Sequence, residues 1–141
     1  SCVLIECADS LKSINATSSA IIDYISLRAG IGVNAGALRA LGSPIRGGEA
    51  FHTGVIPFYK HFQTAVKSCS QGGVRGGAAT LFYPFWHLEF ESLVVLKNNR
   101  GTDETRVRHL DYGVQMNSFL WERVKSNSKI ALFSPSDVPG L

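Results

Sequence analysis

The beginning of the chain predicts a strand, a helix and a second strand, and this succession limits the possible folds more than any other feature. Residues 2–7 are a short apolar run rich in strand-forming side chains. Residues 11–25 carry apolar side chains at helical spacing, and Asp9 and Ser10 precede them as possible caps. Residues 31–34 have the character of a second short strand. We therefore expect a right-handed βαβ unit and a fold of the α/β class.

The rest of the chain continues to alternate between helices and strands. We predict a helix over residues 55–69 and a strand over 78–83. Residues 88–96 fit either a helix or a strand, and their length and the polar residues that follow favour a helix. Residues 106–125 are predicted to form one or two helices, and residues 130–133 a short strand. No internal repeat interrupts this order, so one domain is expected.

Four predicted strands are too few to close a barrel, so their apolar faces need partners from elsewhere. The sequence also begins on a strand and stops directly after another, without the polar character typical of termini. We therefore expect residues 1–141 to be a single incomplete domain, marginal or prone to aggregate if isolated. No apolar run approaches the ~20 residues that cross a bilayer and no leader opens the chain, so we expect a cytoplasmic protein without a membrane partner.

Positive charge and glycine are concentrated in the same third of the chain. The net charge is only +3, yet residues 28–75 contain six basic side chains and one acid. Ten of the fourteen glycines fall in two stretches in or beside this region. Backbone amides that are free of side chains, next to positive charge, are suited to phosphate groups. We expect two loops, residues 35–53 and 70–77, to grip a nucleotide.

The cysteines and histidines give no sign of a disulfide framework or a metal site. There are three cysteines and no CxxC pair, and Cys2 and Cys7 would lie on opposite faces of a strand about 16 Å apart. Each is either a small buried hydrophobe or a chemically active thiol. The four histidines lack metal-ligand spacing, so we expect structural roles. Glu89 and Glu91 would face different directions on a helix and make a poor acid/base pair.

The two glycine-rich loops leave several interpretations open. Neither matches the Walker or dinucleotide-binding pattern. Arg39 and Arg46 could hold phosphates through their guanidinium groups, and Gln71 and Arg75 could read the edge of a base. The alternative is that each loop is a solvated connection with incidental arginines. A weaker alternative is RNA binding, since residues 70–77 contain one copy of an arginine-glycine motif.

Five longer motifs together resemble the large, catalytic subunit of class I ribonucleotide reductases, most closely the enterobacterial type. They begin with Ser-Cys-Val-Leu-Ile-Glu-Cys and occupy residues 1–7, 28–36, 39–48, 67–77 and 133–139. The resemblance covers the chain from end to end. It implies a ten-stranded α/β barrel, of which this chain would supply the opening strands and helices. It also implies the reduction of ribonucleoside diphosphates to deoxyribonucleoside diphosphates by radical chemistry. Because the family's radical-bearing cysteine is missing here, the isolated chain is expected to be inactive.

The resemblance also implies roles for individual residues. Cys2 matches the thiol that delivers a hydrogen to the 2′ carbon and then forms a disulfide with a second cysteine. Ser1 and Gly30 match positions near the substrate's phosphates and sugar. Gln71 and Arg75 match substrate-binding positions in a loop that the effector shifts so that one base is preferred. The resemblance thus implies that both glycine-rich loops lie next to Cys2. The residues that match effector contacts, with Asp9 on the deoxyribose hydroxyl, are Asp9, Ser10, Leu11, Ser26, Arg39, Arg46 and Gly47.

The same resemblance implies cofactors and partners. ATP, dATP, dTTP and dGTP would be the effectors, with no covalently bound cofactor and no metal in this segment. The partners would be a second large subunit forming a homodimer with the effector site across its interface, a metal-containing small subunit that supplies a radical, and thioredoxin or glutaredoxin. No nucleic acid is expected. The alternative function is a non-catalytic module that binds deoxynucleotides through a retained effector site.

Overall fold

The computed structural model describes residues 2–71 and 75–138, with the backbone alone at Arg46, Ser70, Gln71, Arg75 and Gly76. The substrate contact expected of Ser1 lies outside the described residues, as do the side-chain contacts expected of Arg46, Gln71 and Arg75. The described residues form eight strands and four α-helices: β1 (Cys2–Glu6), α1 (Leu11–Ser26), β2 (Gly30–Asn34), β3 (Pro44–Ile45), β4 (Ala50–Phe51), α2 (Ile56–Ser68), β5 (Ser70–Gln71), β6 (Arg75–Gly76), β7 (Ala79–Pro84), α3 (Phe90–Leu93), β8 (Asp111–Gln115) and α4 (Ser118–Lys125).

The predicted βαβ unit is confirmed. The first helix, α1, starts because the side chain of Ser10 accepts the Ser13 N–H at 3.1 Å and so satisfies one of the free amides of the first turn. Ile14, Ile21 and Ile25 recur on one face of α1 and are buried. Strand β1 then pairs with β2 in parallel.

The main sheet consists of four parallel strands within the described residues, in the order β1-β2-β7-β8. Helix α2 follows the predicted span, with Pro57 in its first turn and Tyr59 and Phe62 buried. It packs beside α1 over one face of the sheet, where Val33 and Leu81 join the core. On the other face Leu4 is 83% exposed. The expected α/β class is confirmed.

Two predictions in the second half of the chain are wrong. Residues 111–115 form β8 rather than a helix, and only Ser118–Lys125 is helical. Pairing with β7 makes this segment a strand, and Gly113 permits the close approach, because a Cβ there would come to 2.5 Å from the Phe82 ring. The strand predicted over residues 130–133 is reduced to one bridge between Phe133 and His87.

The helix predicted over residues 88–96 is confirmed only for the single turn α3, within a series of turns. Residues 35–53 form an ordered loop as expected, but they include the small hairpin of β3 and β4. Strands β5 and β6 pair in the same way within the second glycine-rich segment. No helix among the described residues is both long and apolar enough to cross a membrane.

The two glycine-rich loops lie at opposite edges of the sheet, so the expectation that both flank Cys2 is wrong. The loop of residues 35–53 follows β2 and therefore lies at the carboxyl edge of the parallel sheet. Residues 70, 71 and 75–77 precede β7 and lie at the amino edge, where Cys2 begins β1. In a parallel sheet, the residues directly after one strand and those directly before another lie at opposite edges.

Candidate functional site

A cavity of about 340 Å³ opens at the carboxyl edge of the sheet, where the chain passes from β1 into α1. Four of the residues predicted to contact an effector line it together, although 28 positions separate the third from the fourth: Asp9, Ser10, Leu11 and Arg39. The remaining lining side chains are Ile14, Ile45, Phe51, His52, Thr53 and Phe58. The cavity therefore combines one ion pair with a largely apolar wall.

Asp9 and Arg39 form a forked ion pair at this cavity. The Nε and Nη2 groups of Arg39 both lie 2.9 Å from Asp9 Oδ2, and the backbone N–H of Arg39 donates to Asp9 Oδ1 at 3.1 Å. The remaining guanidinium nitrogen, Nη1, donates to the Pro44 carbonyl at 2.9 Å. The two side chains are 24% and 28% exposed. The guanidinium is thus held in one orientation, and the carboxylate oxygens keep further lone pairs for a ligand hydroxyl.

The amino terminus of α1 contributes a second electrostatic feature. Ser10 and Leu11 line the cavity, and the helix that begins there runs for 16 residues without an acidic side chain in its first turn. Unpaired first-turn amides and the helix dipole place partial positive charge at this end. Together with the Arg39 guanidinium, this arrangement favours an anionic group such as a phosphate.

Aromatic residues that the sequence interpretation missed form part of the cavity wall. His52 stacks on Phe58, with ring centroids 5.5 Å apart, and Phe51 is 65% exposed at the cavity. Burial lowers the pKa of His52 below its ordinary 6.5, so the imidazole is neutral at pH 7. Its Nδ1 accepts the Gly54 N–H at 3.1 Å. The only sequence signal was their position, at the end of the long loop and the start of α2, and flat rings there suit a sugar or a base.

Two other predicted effector residues lie apart from this wall. Ser26 is at the far end of α1, about 24 Å along the helix axis, and its hydroxyl donates to the Asp23 carbonyl. Gly47 lies in the turn between β3 and β4 with a φ of 67°, a conformation that favours glycine. The structure therefore brings together the Asp9 end of α1 and Arg39, and leaves Ser26 at a separate surface.

A second cavity, also of about 340 Å³, lies at the amino edge of the sheet. Cys2 and Gly30, the described residues predicted to contact substrate, both line it and face each other in the β1 to β2 register. The Cys2 side chain is exposed and free. Gln71 and Arg75 are paired between β5 and β6. These two short strands come directly before β7, at the same edge of the sheet.

The two cysteines near the start of the chain have different environments. Cys7 is buried and free, and burial raises the pKa of its thiol, so it remains protonated. Cys2 is the exposed thiol of the two, and it too is free. Within residues 2–71 and 75–138, no cluster of three or more His, Cys, Asp or Glu side chains is arranged to hold a metal ion.

Comparison with known proteins decides the family. The family model of the ribonucleotide reductase barrel domain matches residues 1–141. The chain belongs to this ribonucleotide reductase family. It is 78% identical over 141 residues to ribonucleoside-diphosphate reductase 1 subunit alpha of Escherichia coli strain K12, an alignment that covers 100% of this chain and 18% of that protein.

Two further ribonucleotide reductase relatives give the same result. The alpha subunit of Haemophilus influenzae is 76% identical over 141 residues, which is 100% of this chain and 19% of that protein. The alpha subunit of enterobacteria phage T4 is 65% identical over 140 residues, which is 99% of this chain and 19% of that protein. The chain thus spans less than a fifth of the length of these relatives. The match to a barrel domain also agrees with the expected partial α/β barrel.

Proposed function

We propose that this chain is the part of a ribonucleoside-diphosphate reductase alpha subunit that holds a nucleotide effector and supplies one reducing thiol. The observation that carries the proposal is the cavity at the carboxyl edge, where Asp9 and Arg39 meet at the amino terminus of α1. Family membership and the accessible thiol of Cys2 at the opposite edge support the catalytic half. The substrate would be a ribonucleoside diphosphate.

Cys2 would act as a reductant at the 2′ position of the ribose. In this reaction the 2′ C–O bond breaks, the hydroxyl leaves as water, and a C–H bond replaces it. Two thiols supply the two electrons and become a disulfide, so Cys2 requires a second cysteine from elsewhere in the subunit. Thioredoxin or glutaredoxin would restore both thiols by exchange. A metal-containing small subunit would supply the radical that starts the reaction.

The effector cavity would act on substrate choice through a second copy of the subunit. Within one chain the cavity and the segment that holds Gln71 and Arg75 are at opposite edges of the sheet, so a direct contact through one nucleotide requires another protomer. Helix α1 is suited to the contact because Ile22, Tyr24 and Leu27 expose apolar surface near its end, next to Ser26. ATP, dATP, dTTP and dGTP are the proposed effectors, with a coupling free energy of about 1–3 kcal/mol.

We also infer that the protein is cytoplasmic. Residues 1–141 would form part of one barrel domain, and other strands of the subunit would complete its sheet. Three cysteines without a CxxC pair are typical of a protein from a reducing compartment.

Replacement of Cys2 by serine in the full-length alpha subunit tests the catalytic half of the proposal. Cys2→Ser should abolish multiple turnovers while the Kd for dTTP stays unchanged, because the effector cavity lies at the other edge of the sheet. Cys7→Ala is the matched control, since it removes a buried thiol that no substrate reaches. Normal turnover of Cys2→Ser would refute the assignment of the thiol.

A non-catalytic deoxynucleotide-binding module is the second candidate. It is favoured by one observation, namely that Asp9, Ser10, Leu11 and Arg39 already meet at one cavity within this chain, whereas the reaction at Cys2 needs a second thiol from elsewhere. Saturable binding of dTTP or dATP by monomeric residues 1–141 would support the module. Binding that depends steeply on salt and ignores mononucleotides would instead support the RNA-binding alternative.

A further inference from the structure

The backbone next to Arg39 is held by a buried hydroxyl from the distant end of the chain. Ser134 is 1% exposed, and its Oγ accepts the Ala40 N–H at 3.0 Å. The same oxygen lies 2.8 Å from the Ser43 hydroxyl, which donates to it. A single side chain thus binds two positions of the loop that presents Arg39, across 94 and 91 residues of sequence.

A carboxylate holds the same loop at two further points. Glu89 Oε2 accepts the Leu41 N–H at 3.1 Å and the Val55 N–H at 3.0 Å. These two amides lie at the two ends of the segment that supplies Phe51 and His52 to the cavity. Because hydrogen bonds to a charged acceptor are the stronger kind, Glu89 closes this segment into a loop of defined width.

A buried imidazole, that of His87, holds the backbone of Leu38, the residue before Arg39. His87 is fully buried, and its Nε2 lies 2.9 Å from the Leu38 carbonyl, which can only accept, so Nε2 carries the proton. Its Nδ1 in turn accepts the Glu89 N–H at 3.1 Å. His87 therefore orients both the loop and the neighbouring carboxylate.

We propose that Ser134, Glu89 and His87 are positioning residues of the effector cavity, which fix the peptide units before and after Arg39 so that its guanidinium meets Asp9. This inference rests on the proposed function of the cavity. None of the three side chains lines the cavity, so they would act through the loop rather than on the nucleotide. A loop ordered in advance loses less conformational entropy when the nucleotide binds, and so binds it more tightly.

The test is the Kd for dTTP of the full-length alpha subunit, measured by titration calorimetry. Ser134→Ala leaves the buried Ala40 N–H without its acceptor, and we expect a Kd about tenfold higher, equivalent to about 1.4 kcal/mol. Glu89→Ala should weaken binding to a similar extent. Glu89→Gln should restore most of the affinity, because the amide oxygen still accepts both N–H groups.

Two controls separate positioning from general destabilisation and from failure of the cavity assignment. Val107→Ala removes packing in the core, where Val107 is fully buried, and should lower the unfolding temperature without changing the Kd. A Kd for Ser134→Ala equal to that of the unaltered subunit would overturn the positioning role, provided that Arg39→Gln weakens binding. If neither variant changes the Kd, or if the unaltered subunit does not bind dTTP, both the inference and the effector cavity are refuted.

Discussion

The ion pair between Asp9 and Arg39 predicts a change of sign in a double-mutant cycle. With Arg39 present, Asp9→Asn removes one acceptor and turns a donor toward the guanidinium, so the arginine loses its fixed orientation and nucleotide binding should weaken. With Arg39→Gln, the Asp9 carboxylate stands unneutralised beside the phosphates, so Asp9→Asn should instead strengthen binding. The same substitution therefore has opposite effects in the two backgrounds.

The exposure of the pair sets the size of the effect. A hydrogen bond to a charged group contributes about 1.5–3 kcal/mol when buried, whereas an exposed ion pair contributes about 0.2–1 kcal/mol. Asp9 and Arg39 are 24% and 28% exposed and share two guanidinium contacts of 2.9 Å, which places them between these limits. We expect a coupling free energy of about 1–2 kcal/mol, or roughly a 5- to 30-fold change in Kd.

The cycle requires four full-length alpha subunits: unaltered, Asp9→Asn, Arg39→Gln and the double variant. The Kd for dTTP of each is measured by titration calorimetry at low and at high salt. Because a partly exposed pair is screened by ions, the coupling should shrink as the salt concentration rises. Effects of Asp9→Asn that agree in both backgrounds within about 0.5 kcal/mol would show that the two side chains act independently and would refute the reasoning.

Three further predictions concern stability of the full-length subunit. Gly113→Ala places a Cβ within 2.5 Å of the Phe82 ring and should cost about 1–3 kcal/mol, seen as a lower unfolding temperature; an unchanged temperature would contradict the close packing of β8 on β7. Gly77→Ala should cost more, because its Cβ would meet the Val66 carbonyl oxygen at 2.6 Å and backbone cannot yield as a ring can. Burial lowers the pKa of His87 below 6.5, so stability should fall as the pH drops below 6.5, and His87→Gln should lessen that fall between pH 7.5 and 5.5; an identical fall in both proteins would exclude His87 as its source.

The elements that could be predicted from sequence are those encoded locally. The βαβ unit follows from an apolar run, a capping Ser10 and apolar side chains at helical spacing, all of which act within a few residues. The same reasoning failed for β8, because residues 111–115 are a strand only by virtue of their pairing with β7. Local strand propensity is a weak signal here, because β7 supplies the hydrogen bonds and Gly113 leaves space for the Phe82 ring.

The sequence by itself determined the family, through motifs in a fixed order, and the chemical identity of the candidate side chains. Only the tertiary structure decided which of them meet. Asp9 reaches Arg39 across 30 residues, and Ser134 reaches the loop beside Arg39 from the other end of the chain. The tertiary structure also separates the two glycine-rich loops. One begins directly after a strand and the other ends directly before a strand, and in a parallel sheet these positions lie at opposite edges. The predicted βαβ unit already implies that Cys2 and residues 35–53 lie at opposite edges, whereas only the pairing of β7 with β2 shows that the segment before β7 lies at the Cys2 edge.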